Sequence, residues 1–280
     1  MVSITARTRF AGVIGWPIAH SKSPLIHNYW LARHGIDAVY GAFAVPPDRM
    51  AEAVAGLAAL GLAGANVTVP HKEAALRTAD EPDALARRIG AANTLIVGED
   101  GRIAATNTDA FGFIENLRQG APGWSAADGP ALVVGAGGSA RAVIVALLDA
   151  GVPRIFLTNR TDARAEALAA AFGPPVTVVP WAERIAAVGD AQTIVNTTAA
   201  GMQGQPPLEL SLERVQPGAL VTDLVYVPLE TPLLAEARRR GVATVDGLGM
   251  LLHQARPAFA AWFGVMPEVD EGLRTLVLGG

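Results

Sequence analysis

One lysine and one aspartate are the residues of this chain best suited to proton transfer. Only two of its 22 basic residues are lysines, Lys22 and Lys72, so arginine is used wherever a cation suffices. Lys72 falls in the first turn of a predicted helix, where a cation opposes the helix dipole and stabilises little. Asp109 follows Asn107 and Thr108 at a second predicted helix start. We expect Lys72 to transfer a proton and Asp109 to orient it; a surface lysine and a plain helix cap are the alternatives.

Two serines flank Lys22 just before a helical pattern that ends at Gly35. Ser23 is followed by Pro24, an order typical of an N-cap and a first helical residue. Ser21 is not needed for capping, and two hydroxyls at a helix N-terminus suit a carboxylate ligand. We therefore expect Ser21 and Ser23 to bind the anionic group of a small-molecule substrate.

A glycine-rich segment predicts a dinucleotide site. The strand-like run 131–134 leads into Gly135, Gly137 and Ala140, which fit the pattern G-x-G-x-x-A, and then into a helix. The first glycine permits a tight turn, the second lets the backbone approach a pyrophosphate, and the small third residue allows close packing of the helix. The helix N-terminus then receives the negative charge. The cofactor-binding residues expected in this segment are Gly135, Gly137, Gly138, Ser139 and Ala140.

The residues about 20 positions further on favour NADP over NAD. Where NAD-specific sites carry an acid, this chain has Asn159, Arg160 and Thr161, with Arg164 one turn later. An acid would repel a 2′-phosphate, whereas arginines attract it. Solvated arginines at a helix start are the alternative. Thr197, at the end of a later strand, is either a cofactor contact or a polar strand end.

The elements that must position these residues alternate between short apolar runs and helical stretches, which is typical of α/β layers with a mainly parallel sheet. A first series of strand-like runs covers 10–15, 39–44, 65–69 and 94–97, the last being half of a hairpin that turns at 99–101. A second series, with the spacing of a doubly wound nucleotide fold, covers 131–134, 154–158, 176–179, 193–196 and 220–224. The run 243–245 then leads into a long helical pattern.

Turn-forming residues between 120 and 130 separate the two series. Helices are predicted over 109–119 and 248–263, and again from Pro267 onward. We expect a two-domain α/β protein. Its substrate-binding catalytic domain, an open α/β layer, would comprise residues 1–107 and 246–280, with the C-terminal helices returning to it. A Rossmann-like NADP-binding domain would comprise residues 108–245.

Composition narrows the class of protein. The net charge of −4 argues against nucleic acid as a partner, since such binding needs clustered Lys and Arg. The chain has no cysteine, which excludes disulfides and zinc–cysteine sites, and its five histidines are not spaced as a metal cluster. The stretch 53–69 is too short and mixed to span a bilayer, and the first ten residues do not resemble a secretory signal. We expect a cytoplasmic monomer or homodimer without a membrane partner.

Taken together, these motifs resemble the shikimate dehydrogenase family. The segments that match lie in the family's order along nearly the whole chain: GWPIAHSKSPLIHN from Gly15, NVTVPHK from Asn66, AANT from Ala91, NTD from Asn107, GAGGSARA from Gly135, NRTDARAE from Asn159, NTTAAGM from Asn196, DLVYVPLETPLL from Asp223 and DGLGMLLHQA from Asp246. One departure is Thr106, where the family often has glycine, and it leaves the catalytic assignment intact.

The resemblance implies reversible, NADP-dependent reduction of 3-dehydroshikimate to shikimate in aromatic amino-acid biosynthesis. Lys72 and Asp109 would be the catalytic pair, and Ser21 and Ser23 would hold the substrate carboxylate, with Tyr226 nearby. The residues implied to bind the substrate hydroxyls are Thr68, Asn93 and Gln254, the last of them opposite Lys72. Met250 is implied to lie near the nicotinamide, although a methionine on an apolar helix also suits a core. Gly247 is implied to be a further cofactor-binding residue.

Two other functions would use much the same residues. A relative that prefers quinate or an amino-shikimate would keep the pair of Lys72 and Asp109 and differ where one hydroxyl or amine is met. A non-catalytic NADP-binding sensor would keep the glycine-rich segment and could lose that pair. The paired serines and the arginines favour shikimate over quinate with NAD, and the complete pair disfavours the sensor.

Overall fold

Two compact units make up the chain, which the computed structural model describes over residues 4–279. The first, called the N-terminal unit, joins the chain up to Thr108 to the stretch from Leu252 onward. The second, called the central unit, comprises Asp109–Leu251. Each unit has its own sheet and its own buried apolar cluster.

The N-terminal unit is built on a mixed sheet. Its strands are β1 (Arg9–Gly15), β2 (Ala38–Ala44), β3 (Gly64–Val67), β4 (Glu81–Pro82), β5 (Thr94–Val97) and β6 (Ile103–Thr106). Over the described residues they form six strands in the order β2-β1-β3-β5-β6-β4. Strand β1 is parallel to β2 and β3, whereas β5 is antiparallel to β3 and β6. The β5–β6 hairpin confirms the predicted turn, while the two-residue β4 is too short to show a periodicity.

The central unit carries a sheet in which every neighbouring pair of strands is parallel. Its strands are β7 (Ala131–Val134), β8 (Ile155–Thr158), β9 (Val176–Val178), β10 (Thr193–Asn196), β11 (Leu220–Asp223) and β12 (Ala243–Val245). The order is β12-β11-β10-β7-β8-β9. The strands after β7 are added on one side of it up to β9 and then on its other side from β10 onward, so the strand order reverses between β7 and β10. All residues of β7 and β10 are buried. Burial on both faces explains why β7 is apolar throughout. Ligands bind parallel sheets at such a reversal, beyond the carboxyl ends of the strands.

Helices cover both sheets. Those in the described part of the chain are α1 (Ser23–Arg33), α2 (Met50–Ala59), α3 (Lys72–Thr78), α4 (Ala84–Ile89), α5 (Asp109–Gly120), α6 (Gly138–Ala150), α7 (Asp162–Phe172), α8 (Arg184–Val188), α9 (Pro232–Arg239), α10 (Leu248–Phe263) and α11 (Glu271–Gly279). The predicted bounds of α10 are confirmed. The start predicted at Pro267 for the last helix was wrong, because an Asp270 carboxylate oxygen accepts the Leu273 amide at 2.8 Å and fixes the helix start there.

An aromatic cluster around His27 forms part of the core of the N-terminal unit. The His27 ring is fully buried and stacks on Tyr40, with 4.0 Å between ring centres and 4° between ring planes. Trp262, from α10, packs against the same ring. Neither ring nitrogen has a hydrogen-bond partner within residues 4–279. Burial lowers the pKa of His27 to about 3, so the imidazole is neutral in the folded protein at neutral pH.

We expect His27→Phe to weaken the loss of stability in acid. The unfolded imidazole has a pKa of about 6.5, whereas burial sets the folded value at about 3. As the pH falls from the unfolded pKa toward the folded pKa, His27 becomes protonated in the unfolded chain but stays neutral in the folded chain. This group alone then lowers the free energy of unfolding by about 1.4 kcal/mol per pH unit. Urea unfolding of wild type and His27→Phe at about pH 7 and about pH 5 measures how much the free energy of unfolding of each protein falls with pH.

The matched control for this experiment is His34→Gln, because His34 is exposed. We expect that variant to keep the wild-type dependence of unfolding free energy on pH. The free energy of unfolding of His27→Phe should rise relative to that of the wild type as the pH falls. Parallel curves for wild type and His27→Phe would contradict the prediction.

Candidate active site

Polar side chains from three separate parts of the sequence meet at Asn93 in the N-terminal unit. Asn93 is buried just before β5. Its Oδ1 accepts the Thr108 amide at 2.8 Å, and its Nδ2 donates to Oε1 of Gln254 at 3.3 Å. Gln254 is on α10, so that helix carries this amide to the segment that ends at Thr108. We call Asn93, Thr108 and Gln254 the amide cluster.

Lys72 is the first residue of α3, in the helical turn where we predicted it. Its backbone carbonyl accepts the Ala92 amide at 2.9 Å, which fixes the start of α3 beside the residue preceding Asn93. The Lys72 side chain is half-buried. Asp109 is buried at the first position of α5 and directly follows Thr108. Lys72 therefore lies beside the amide cluster, and Asp109 is joined to that cluster through the chain.

His71 stabilises the turn that precedes Lys72 and was not among the predicted site residues. The residue is buried, and its Nε2 lies 2.8 Å from the Val45 carbonyl oxygen. A carbonyl can only accept, so Nε2 carries the proton in this contact. The contact joins the segment after β2 to the start of α3. No spacing rule relates positions 45 and 71, which is why the sequence alone does not reveal it.

Buried hydrogen bonds support Asn93 from inside the sheet. The Tyr40 hydroxyl donates to Oδ1 of Asn66 at 2.7 Å, and Nδ2 of Asn66 donates to Oγ1 of Thr94 at 3.1 Å. Thr94 in turn donates to Oδ1 of Asn93 at 3.0 Å. Asn66 and Thr94 are direct partners across β3 and β5. Burial raises the pKa of Tyr40 well above its ordinary value, so its hydroxyl remains a donor.

The segment with the paired serines departs from the prediction at one point. Helix α1 begins at Ser23, and Lys22 occupies the N-cap position with helical angles and without a side-chain hydrogen bond that caps the helix. Ser23 as the N-cap was therefore wrong by one residue. Oγ of Ser21 accepts the Ser23 amide at 3.3 Å, so Ser21 stabilises the helix start that we had assigned to Ser23. Ser23 is buried, and Ser21 and Thr68 are half-buried.

A cavity of about 380 Å³ lies in the central unit at the carboxyl ends of its strands. It adjoins β7 and β10, where the sheet reverses. The residues lining it are Gly135, Ala136, Gly137, Asn159, Arg160, Trp181, Thr197, Thr198, Ala199, Ala200, Gln205, Pro206, Pro207, Leu208 and Glu209. Of the predicted cofactor residues in the central unit, the described lining lacks Gly138, Ser139, Ala140, Thr161, Arg164, Gly247 and Met250.

The glycine-rich segment fits a dinucleotide. Gly135 has φ +112°, and a Cβ there would lie 2.6 Å from Oγ1 of Thr197, so glycine is required. A Cβ on Gly137 or Gly138 would meet no atom within 4 Å, so the backbone at the start of α6 faces open space. Amide groups at a helix N-terminus that face open space suit a pyrophosphate.

A buried carboxylate organises the loops after β10 and β11. One Asp223 oxygen accepts Nδ2 of Asn196 at 2.9 Å and the Val225 amide at 3.0 Å, and the other accepts the Thr231 hydroxyl at 2.7 Å. Oδ1 of Asn196 accepts the Thr198 hydroxyl at 2.7 Å. Burial raises the pKa of Asp223 above its ordinary value. Asn196 is thus a loop support, whereas Thr198 reaches the cavity wall.

Three further predicted residues of the central unit, Tyr226, Gly247 and Met250, are not in the described lining of the cavity. Tyr226 is half-buried after β11, and burial raises the pKa of its hydroxyl. Gly247 packs so closely on Leu224 that a Cβ would collide with that carbonyl. Met250 is buried on α10.

Within residues 4–279 no three His, Cys, Asp or Glu side chains are grouped to hold a metal ion. In the same range, every helix is too short or too polar to span a bilayer.

Oxidoreductases that use a nicotinamide dinucleotide combine a nucleotide-binding parallel sheet with polar groups that hold the second substrate. The chain is of that class. Three family descriptions match it in order: shikimate dehydrogenase substrate binding domain over residues 13–95, shikimate / quinate 5-dehydrogenase over 121–204, and shikimate 5′-dehydrogenase C-terminal domain over 247–276. The chain belongs to the shikimate dehydrogenase family.

Individual relatives agree with this membership. The chain is 60% identical over 280 residues to the shikimate dehydrogenase (NADP(+)) of Rhodospirillum rubrum, with 99% of each chain covered. It is similar to the shikimate 5-dehydrogenase of Thermus thermophilus solved with NADP(H) and shikimate (TM-score 0.86, 37% identity, 97% and 99% coverage). It is also similar to the quinate dehydrogenase of Corynebacterium glutamicum solved with NAD (TM-score 0.90, 30% identity, 98% and 99% coverage). The predicted family and α/β fold class are confirmed.

Proposed function

We propose that the chain catalyses the reversible, NADPH-dependent reduction of 3-dehydroshikimate to shikimate. The observation that carries the proposal is the amide cluster beside Lys72. Carboxamides both donate and accept hydrogen bonds, as ring hydroxyls do. A proton-transferring group next to such amides suits a polyhydroxylated substrate whose keto group becomes a hydroxyl.

The substrate is held through its hydroxyl and carboxylate groups. Asn93, Gln254 and Thr68 bind the hydroxyls. Ser21 and Ser23 bind the carboxylate at the start of α1, where their hydroxyls and the helix dipole favour an anion. Tyr226 contributes a neutral hydroxyl near the carboxylate, in keeping with the raised pKa that burial gives it. These contacts orient the ring for reaction.

Lys72 donates the proton to the oxygen that becomes the new hydroxyl, and in the oxidation direction it receives that proton. Asp109 orients the ammonium group and balances its charge. In the central unit, Gly135 and Gly137 would hold the pyrophosphate, and Arg160 the 2′-phosphate. NADPH supplies, when bound, the hydride that the keto carbon takes up.

The test follows the nicotinamide absorbance while purified protein meets shikimate or quinate, each with NADP or NAD. We expect turnover with shikimate and NADP that far exceeds the other three combinations. Quinate is the second candidate, favoured by the similarity to the quinate dehydrogenase solved with NAD. Faster turnover of quinate with NAD would overturn the proposal in its favour. Tight NADP binding without any turnover would indicate a sensor instead.

A further inference from the structure

A tryptophan outside all the matching motifs stands in the wall of the central cavity. Trp181 closely follows β9, the strand beside β8 in the sheet. It lines the same cavity as Gly135, at the end of β7, and Arg160, just beyond β8. In a doubly wound sheet the pyrophosphate lies at the first strand and the adenosine ribose at the second. The next group in that direction is the adenine ring, and Trp181 is the aromatic side chain on that side of the cavity.

The indole of Trp181 is held by Arg184. The guanidinium carbon lies 4.3 Å from the ring centre, and Nη1 donates to the Trp181 carbonyl at 2.7 Å. Nε of Arg184 donates to the Glu209 carbonyl at 2.8 Å. Arg184 is not in the described lining of the cavity, whereas Trp181 and Glu209 are. The cation therefore fixes the indole from outside the cavity and joins it to the loop that forms another part of the wall.

That loop adds apolar surface to the same cavity. Pro206, Pro207 and Leu208 all line it. An indole with proline and leucine side chains suits a flat heteroaromatic ring, whereas phosphate and ribose need charged or hydrogen-bonding groups. We propose that Trp181 is a cofactor-binding residue that contacts the adenine ring of NADP. This inference rests on NADP as the cofactor and is independent of the substrate.

The test compares Trp181→Ala and Trp181→Phe by titration calorimetry with 2′,5′-ADP, the adenosine half of NADP. We expect Trp181→Ala to weaken 2′,5′-ADP binding about 5- to 150-fold, the range for loss of base–aromatic stacking. Trp181→Phe should keep most of the affinity because it keeps an aromatic ring. The KM for NADP should rise in Trp181→Ala while kcat at saturating NADP and the KM for shikimate stay unchanged.

The matched control is Trp124→Phe, since Trp124 lies in the same unit, bonds to Thr193 at 2.9 Å and is not in the described lining of the cavity. We expect 2′,5′-ADP to quench the fluorescence of wild type and Trp124→Phe but much less that of Trp181→Phe. Unchanged 2′,5′-ADP affinity in Trp181→Ala, or equal quenching in all three proteins, would overturn the proposal. Both readouts are obtained without turnover, so failure of the proposed reaction would leave them interpretable.

Discussion

The Lys72→Met variant is expected to lose about 10²- to 10⁴-fold in kcat for shikimate oxidation, the range that a general acid–base residue contributes. Methionine has a similar length and no proton to transfer. Lys72 begins α3, and its backbone carbonyl accepts the Ala92 amide, which places the start of that helix beside the segment that leads into Asn93. Initial rates at saturating shikimate and NADP measure the loss.

The matched variant for this prediction is Lys72→Arg, which keeps the positive charge but holds its proton at any accessible pH. If Lys72 transfers a proton, Lys72→Arg should be about as inactive as Lys72→Met. If its charge alone matters, Lys72→Arg should retain much of the rate. Calorimetric binding of shikimate to both variants shows whether the site is intact. Near wild-type kcat in Lys72→Met would refute the assignment.

Arg160→Leu is expected to raise the KM for NADP about 10- to 100-fold and to change the KM for NAD little. A charge-assisted hydrogen bond to the 2′-phosphate accounts for a change of this size. NAD has a hydroxyl in that place and gains little from a cation. Arg160 is exposed just beyond β8 and lines the central cavity. Initial-rate kinetics with each cofactor provide the measurement.

Arg164→Leu is the control for cofactor preference. Arg164 is also exposed, but it lies within α7 and is not in the described lining of the cavity. We expect its loss to raise the KM for NADP less than the loss of Arg160 does. Equal changes for NADP and NAD in Arg160→Leu would show that the residue does not select the 2′-phosphate.

The sheet of the central unit was predictable because its inner strands are buried on both faces. Continuous apolar runs such as Ala131–Val134 then stand out between glycine-rich turns. Strand β4 was not predictable, since two residues carry no period. The start of α1 was predicted one residue late because Ser23 followed by proline suits an N-cap, whereas the backbone already turns helical at Lys22.

The candidate site was predictable where a local motif encodes it. Gly135 has a positive φ, and the glycine pattern in the sequence indicates that conformation. Lys72 stood out by its rarity and its place at a helix start. The supporting contacts of His71 with Val45 and of Tyr40 with Asn66 join residues far apart in sequence. Only the folded chain determines which distant atoms meet, so no spacing could indicate them.

The Asp223 network has a practical consequence for anyone who builds chimaeras within this family. One carboxylate bonds to Asn196, before the loop that lines the cavity, and to Val225, in the segment that carries Tyr226. A transplant of either segment alone would pair the Asn196 amide of one protein with the Asp223 carboxylate of another. Segments 196–200 and 223–231 should therefore be exchanged together, so that both come from the same parent protein.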